Sequence, residues 1–405
     1  MSEVKSLGIK VKIISLFNCF LFLISPLLAL PSIFVGIYNR NRVSLILLLI
    51  LASLITYQLV PSETKDLYQF YRFYKDVKYI GFEEFLLKLT IQKKTDFVFY
   101  YGIYFFAKLG ISGQVFFSLC TFATLYLIYL VYNKLVEKRE ISNKYYLLGI
   151  VSIFISIEFL GLYSGIRNLL AISIAIYGFY IGIFDNKKGK GFLLLLFSSL
   201  IHFGTLLFFP IYFLGIFKKI KSKSIFILYI TSFAFFLFTK KYLYHIAIAL
   251  PFPESFDYKI KAYLEGMDII EKGNMESTAA LISYKIRVSW IYFAHTYLLL
   301  SYKRESNYRN LVILLMGLLN IFSVTPDIQL RLTYLVEIMF IYLLFYEYNY
   351  RENKLLIKLF FIFLVPSFIV NLFIYKDYFI ESLFNKNFIT LAGILLKKVE
   401  LIFFW

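Results

Sequence analysis

Cysteine is scarce in this chain. There are two, Cys19 and Cys120, and both fall inside apolar runs, which argues against a structural disulfide or a metal site. The signatures of common soluble enzymes are also missing: no G-x-S-x-G, no H-E-x-x-H, no glycine-rich phosphate loop and no paired C-x-x-C. Chemistry driven by ATP is therefore not expected, nor is any cofactor. No small-residue cleavage site follows the basic stretch Met1 to Lys12, so the apolar stretch after it reads as a retained first helix. Acidic residues are outnumbered, with 25 Asp and Glu against 43 Lys and Arg and a net charge of +18. Such a balance suggests a nucleic-acid partner, but the basic residues sit in short connectors between apolar runs. That is the topology signal of a membrane protein, and no nucleic acid is expected.

What the chain has in excess is apolar surface. Of 405 residues, 60% are hydrophobic, and the mean hydropathy is +0.73. A soluble domain sits nearer half apolar, so the surplus must face something other than water. Crossing a bilayer as helix takes about 20 mostly apolar residues, because every backbone amide must be satisfied within the segment. Runs of this kind recur at 13–38, 43–60, 97–110, 114–132, 145–163, 166–184, 192–217, 225–239, 284–302, 311–322, 332–347 and 355–375, with an amphipathic or membrane-dipping stretch at 388–405. The expectation is an all-α, polytopic transmembrane bundle of about eleven to thirteen membrane segments, forming a single integral membrane domain over 1–405. Tyrosines gather at run ends (Tyr126, Tyr129, Tyr132; Tyr342, Tyr346, Tyr348, Tyr350), as interfacial belts would require.

The connectors set an orientation. Short basic ones, at 39–42, 134–144, 187–190, 218–223, 303–309 and 351–354, are placed in the cytoplasm. Two longer segments, about 61–96 and 240–283, mix acids with bases and are placed outside. One conflict arises: 187–190 and 218–223 both look cytoplasmic, yet a single run joins them. A re-entrant pair of half-helices resolves the parity, and so does placing one basic loop outside. The sequence leaves both open.

Ionisable groups beside membrane helices are costly and so are candidates for function. Arg167, in Ser164-Gly165-Ile166-Arg167-Asn168, opens an apolar helix, where free N–H groups and a guanidinium together suit a phosphate or pyrophosphate. Snorkelling to headgroups is the plainer reading. His202, in Ser198-Ser199-Leu200-Ile201-His202, is either a packed core group or a proton carrier lining a cavity; His295, without polar company, reads as structural. Arg331 again starts a helix, one turn after Asp327, in a local ion pair or as a second arm of an anion clamp. Glu158 is the one carboxylate inside a run leading to Arg167, and is its partner or a base. Asp66, among Tyr68, Phe70 and Tyr71, is a sugar-binding candidate or part of an interfacial helix.

These residues carry a resemblance. Asp66, Tyr68 and Tyr71, then Gly165-Ile166-Arg167-Asn168 with Ala171, then Leu200-Ile201-His202-Phe203-Gly204-Thr205 with Pro210, and finally Arg331-Leu332-Thr333-Tyr334, resemble the EpsG family of Wzy-type polysaccharide polymerases. Asn168 stands where that family usually has Gln. The resemblance implies a glycosyltransferase of the cell membrane that joins oligosaccharide repeat units carried on undecaprenyl pyrophosphate, at the periplasmic or exterior face. It makes O-antigen, capsule or exopolysaccharide the product class, and a flippase and a chain-length regulator the neighbours. Arg167 and Arg331 would then hold the pyrophosphate, Asn168 would belong to the substrate-binding site, Asp66 would position the sugar, and His202 or Glu158 would handle the acceptor hydroxyl. Competing readings are a flippase or transporter of lipid-linked sugar, a membrane acyltransferase acting on polysaccharide, and a monosaccharide transferase using a polyprenyl-phosphate donor. The absence of a convincing internal repeat weighs against a transporter.

Overall fold

A computed structural model describes residues 2–59, 63, 65–92, 94–137, 139–157, 159–217, 220–237, 240–249, 261, 264, 277–374, 376 and 390–396. Among these residues the regular structure is entirely helical. Five helices are long and apolar enough to cross a membrane: Gly113–Val136, Ile166–Ile183, Asn307–Val324, Pro326–Tyr346 and Asn353–Ile374. Shorter apolar helices at Lys12–Ile24, Arg42–Gln58, Phe203–Ile216 and Ser222–Phe235 pack among them. The expected polytopic helical bundle is the observed fold. Several runs that read as single segments are in fact broken.

The chain opens with α1 (Ser2–Ile24) and α2 (Leu30–Tyr38), which share the expected segment 13–38. Pro26, which has no N–H to continue a helix, lies in the turn between them. Asn18 donates to Ser44 Oγ at 2.8 Å and Asn41 to Ser15 Oγ at 2.8 Å, so α1 and α2 fold beside the start of α3 (Arg42–Gln58). Helix α3 runs antiparallel to α7 (Gly113–Val136): Arg42 pairs with Glu137 at one end, while Gln114 donates to the Tyr57 carbonyl at the other. The residues between α3 and α7 therefore leave and return at the same end of the bundle.

That insert holds α4 (Asp66–Val77), α5 (Phe82–Ile91) and α6 (Phe97–Lys108). The apolar run 97–110 is thus a helix of 12 residues, about 18 Å long at 1.5 Å per residue and too short to span. Its hydrophobicity serves the insert instead. Phe70, Phe73, Phe99, Tyr100, Phe116 and Phe117 meet edge-on or tilted at 4.9–6.5 Å, and all are buried.

From α7 the chain continues through α8 (Asn143–Ser156), the short α9 (Phe159–Tyr163), α10 (Ile166–Ile183) and α11 (Lys188–Ile201). Helix α11 ends at His202, whose backbone is extended (φ −148°, ψ 114°). A 3-10 turn (Phe203–Phe208), α12 (Phe209–Tyr212) and a π-turn (Phe213–Phe217) follow. Tyr212 then donates to the Lys188 carbonyl at 2.7 Å, so the two ends of the run 192–217 lie together. The run is a helical hairpin that returns to its starting end, the shape that re-entrant half-helices would have. The close approach needs glycine: a Cβ on Gly191 would lie 2.2 Å from Tyr212 Oη and 2.5 Å from the Gly178 carbonyl.

Then come α13 (Ser222–Ser232), α14 (Lys240–Ile248), α15 (Thr278–Arg287), α16 (Trp290–Leu300), α17 (Asn307–Ile321), α18 (Pro326–Tyr346), α19 (Asn353–Ile374) and α20 (Leu391–Leu396). The expected segment 284–302 is divided at Val288-Ser289, between α15 and α16. Contacts gather the short basic connectors at one end: Arg139 over the Tyr346 ring, Tyr145 onto the Lys354 carbonyl, Asn310 onto Ser222. We call this the basic end. Segments 61–96 and 240–283 both begin at the opposite end, as the Gln114–Tyr57 and Asn320–Ser232 bonds show.

Four of the expected belt tyrosines, Tyr348 among them, are core instead. Tyr129, Tyr132 and Tyr342 are buried, and each donates to a carbonyl of a neighbouring helix, at Ile150, Tyr146 and Ile128. A buried hydroxyl needs such a partner, and these bonds tie α7 to α8 and α18.

Candidate functional site

Away from the basic end, three segments distant in sequence meet on one carboxylate. Asp96 immediately precedes α6, and its side chain is 3% exposed. Its Oδ2 lies 2.8 Å from Arg167 Nη1, and its Oδ1 accepts from the Phe203 amide at 2.8 Å. Oδ1 is also 3.8 Å from His202 Nδ1, an electrostatic contact longer than a hydrogen bond. Local structure explains each placement. Arg167 is the second residue of α10, set there by the bend at Ser164-Gly165. His202 sits where α11 breaks, and the Phe203 amide is released from helix bonding by that break. A buried amide must find an acceptor, and Asp96 supplies it.

Aromatic rings wall the pair. The Arg167 guanidinium lies 5.4 Å from the Phe70 ring centre and 6.0 Å from that of Tyr100, and Nη1 also donates to Tyr100 Oη at 3.3 Å. Arg167 Nε and His202 Nδ1 are buried without a hydrogen-bond partner among the described residues. The guanidinium is thus held from one edge, with donor capacity left over. Lys94 adds a second cation, its ammonium 5.4 Å from the Tyr100 ring centre. Burial, and next the repulsion of Arg167, lower the Lys94 pKa below the usual lysine value, while Asp96 and Asp66 oppose the shift.

The other expected residues are placed as follows. Asn168 follows Arg167 on α10 and is half-buried. Asp66 is exposed at the start of α4, near enough for its charge to reach Lys94 and Tyr100; the next amide, Leu67, donates to Ser164 Oγ at 3.4 Å. Arg331 is at the same end, and its charge reaches His202. Its guanidinium, 43% exposed, pairs with Asp327 at 3.2 Å, the local ion pair considered above. Glu158 lies outside the described residues. The partner seen on Arg167 is Asp96. His295 is in the core, 2.5 Å from Tyr229 Oη through Nδ1.

Asp96, Lys94 and Tyr100 were missed among the candidates. A signal existed: Asp96 stands directly before an apolar run, the position that singled out Arg167. It was masked by a neighbourhood of mixed charge that reads as a solvated loop.

Chemically, an arginine fixed on a carboxylate can present its remaining N–H groups to an anion without reorganising. An imidazole beside it can accept or deliver a proton. Among the described residues no three His, Cys, Asp or Glu side chains group as metal ligands.

Comparison with known proteins gives one match. Neither a curated protein nor a solved structure matches the chain. The model of the EpsG family matches residues 41–387, which takes in every residue of this cluster. The chain is a multi-pass helical membrane protein that belongs to the EpsG family, a family associated with exopolysaccharide biosynthesis.

Proposed function

We propose that the protein is a Wzy-type polymerase that joins oligosaccharide repeat units carried on undecaprenyl pyrophosphate, with the lipid pyrophosphate as leaving group. The observation that carries this reading is the convergence of Arg167 and His202, from two separate helix ends, on buried Asp96. The site would face the exterior of the cytoplasmic membrane, because the basic connectors collect at the other end.

The reaction needs no nucleotide, since the sugar–pyrophosphate bond already carries the driving free energy. It needs charge stabilisation as the diphosphate departs. Arg167, with Lys94 beside it and Arg331 at the same end, would meet that charge, and Asp96 would hold Arg167 in position. Asn168, the residue after Arg167, would donate to a phosphate oxygen. The acceptor hydroxyl must lose a proton as its oxygen attacks the anomeric carbon, and His202 is the base we assign. Asp66, exposed beside the aromatic insert, would accept from sugar hydroxyls.

The test is genetic and direct. In a polymerase-null strain, Arg167→Ala should leave single-repeat products where the wild-type gene restores a polymer ladder. A normal ladder from that variant, at equal protein level, removes Arg167 from the reaction.

A further inference from the structure

At the basic end lies a cavity of about 700 Å³ that the polymerase reading does not use. Lys188, Lys221 and Lys223 line it, with the polar groups Asn186, Ser222, Asn307 and Asn310 and one carboxylate, Glu305. Its remaining wall is apolar, from Ile183, Ile216, Ile220 and Ile225. The cavity exists because the re-entrant run returns to its starting end. Lys188, at the start of the hairpin, thereby faces Lys221, just after it. Asn310 on α17 closes the gap by donating to Ser222 Oγ at 3.0 Å.

Three like charges gathered around one hollow repel one another, and Glu305 offsets only one of them. Nothing in the fold's packing requires this arrangement, since Lys221 and Lys223 are exposed. The first residues of α11, α13 and α17 are Lys188, Ser222 and Asn307, so three helix starts also turn their partial positive charge toward the hollow. We propose that this cavity is an anion site that takes a phosphate-bearing ligand. Its phosphate would sit between Lys188, Lys221 and Lys223, with the asparagine amides donating and Ser222 alongside. The apolar wall would receive the ligand's uncharged body. The same chemistry is offered by an anionic phospholipid headgroup of the adjoining leaflet and by a soluble phosphate compound.

The experiment uses the full-length protein in nanodiscs of zwitterionic lipid, and follows its thermal unfolding. One arm replaces part of the lipid with phosphatidylglycerol; the other adds inorganic pyrophosphate to the buffer. Stabilisation in the first arm alone identifies a lipid headgroup, and in the second a soluble phosphate; either supports the site. The variant K188Q/K221Q/K223Q should weaken the response by about tenfold or more in ligand concentration. The control R351Q/K354Q removes two charges from the same end outside the cavity and should respond as wild type. The unliganded melting temperatures of both variants report that the fold is kept. Equal loss in variant and control would show general surface attraction and overturn the proposal, as would no response in either arm.

Discussion

Replacing Asp96 with asparagine keeps an acceptor for the Phe203 amide but removes the charge that faces Arg167, so it isolates the ion pair. With Nη1 and Oδ2 2.8 Å apart, the charge centres are separated by about 4 Å, where attraction is about 4 kcal/mol at an effective dielectric of 20. Taking one partner from a buried pair strands the other, at a cost of about 3–5 kcal/mol. Because the Arg167 side chain is 18% exposed, some water reaches it, and D96N should fall at the lower end of that range. Arg167→Ala should cost a comparable amount by leaving Asp96 uncompensated. The double variant D96N/R167A carries neither charge. Its loss should therefore be smaller than the sum of the single losses by about 2 kcal/mol. Unfolding in mild detergent titrated with SDS, on all four proteins, measures the cycle. Losses that add to within about 0.5 kcal/mol would refute the claim that these two groups hold each other.

Other outcomes follow from the same structure. At the basic end Glu347, 5% exposed, faces both the fully buried Arg309 and Arg304. Glu347→Ala strands Arg309, while Arg304 keeps Glu352 at 3.1 Å, and should cost about the 3–5 kcal/mol of one broken buried pair; a near-wild-type unfolding curve would contradict this. Gly191→Ala should destabilise the hairpin by about 1–3 kcal/mol, because its Cβ has no room. Gly189→Ala, with nothing within 4 Å, should be neutral or slightly stabilising, and equal effects in the two variants would deny the close approach. Lys94 gives a pH signature. Its folded pKa is lowered, so the unfolded chain binds the extra proton and this group's contribution to stability rises as pH climbs toward the ordinary lysine range. Its cation is also lost earlier than a surface lysine's. Polymer synthesis that uses it should decline on the alkaline side, and Lys94→Arg should move that limb to higher pH. An unmoved limb removes Lys94 from the site.

The bundle was legible because apolar length is a local property: α7, α10, α18 and α19 each carry a long apolar stretch with at most two charged residues. Arg167 and His202 were legible for the same reason, as polar groups that interrupt such runs. Asp96 was not. Its burial is created by a helix break more than a hundred residues downstream, and nothing near it in the chain reports that. The run 97–110 misled in the opposite way, since an aromatic face buried in an insert and one facing lipid have the same composition. Arg309 likewise reads as a member of a short basic connector, and Glu347 as the last residue of the apolar run 332–347. Their mutual burial, with Nη1 3.1 Å from Oε1, is a fact of packing alone.

The contact between Asp96 and the Phe203 amide spans 107 positions, which has a consequence for biogenesis. During synthesis the acidic side chain emerges well before either of its basic neighbours has been translated. Until α10 brings Arg167, that carboxylate must stay hydrated or protonated, and its other oxygen waits for the Phe203 amide at the hairpin tip. An arrested nascent chain ending ahead of the hairpin would hold all of α10 and still be unable to close the cluster.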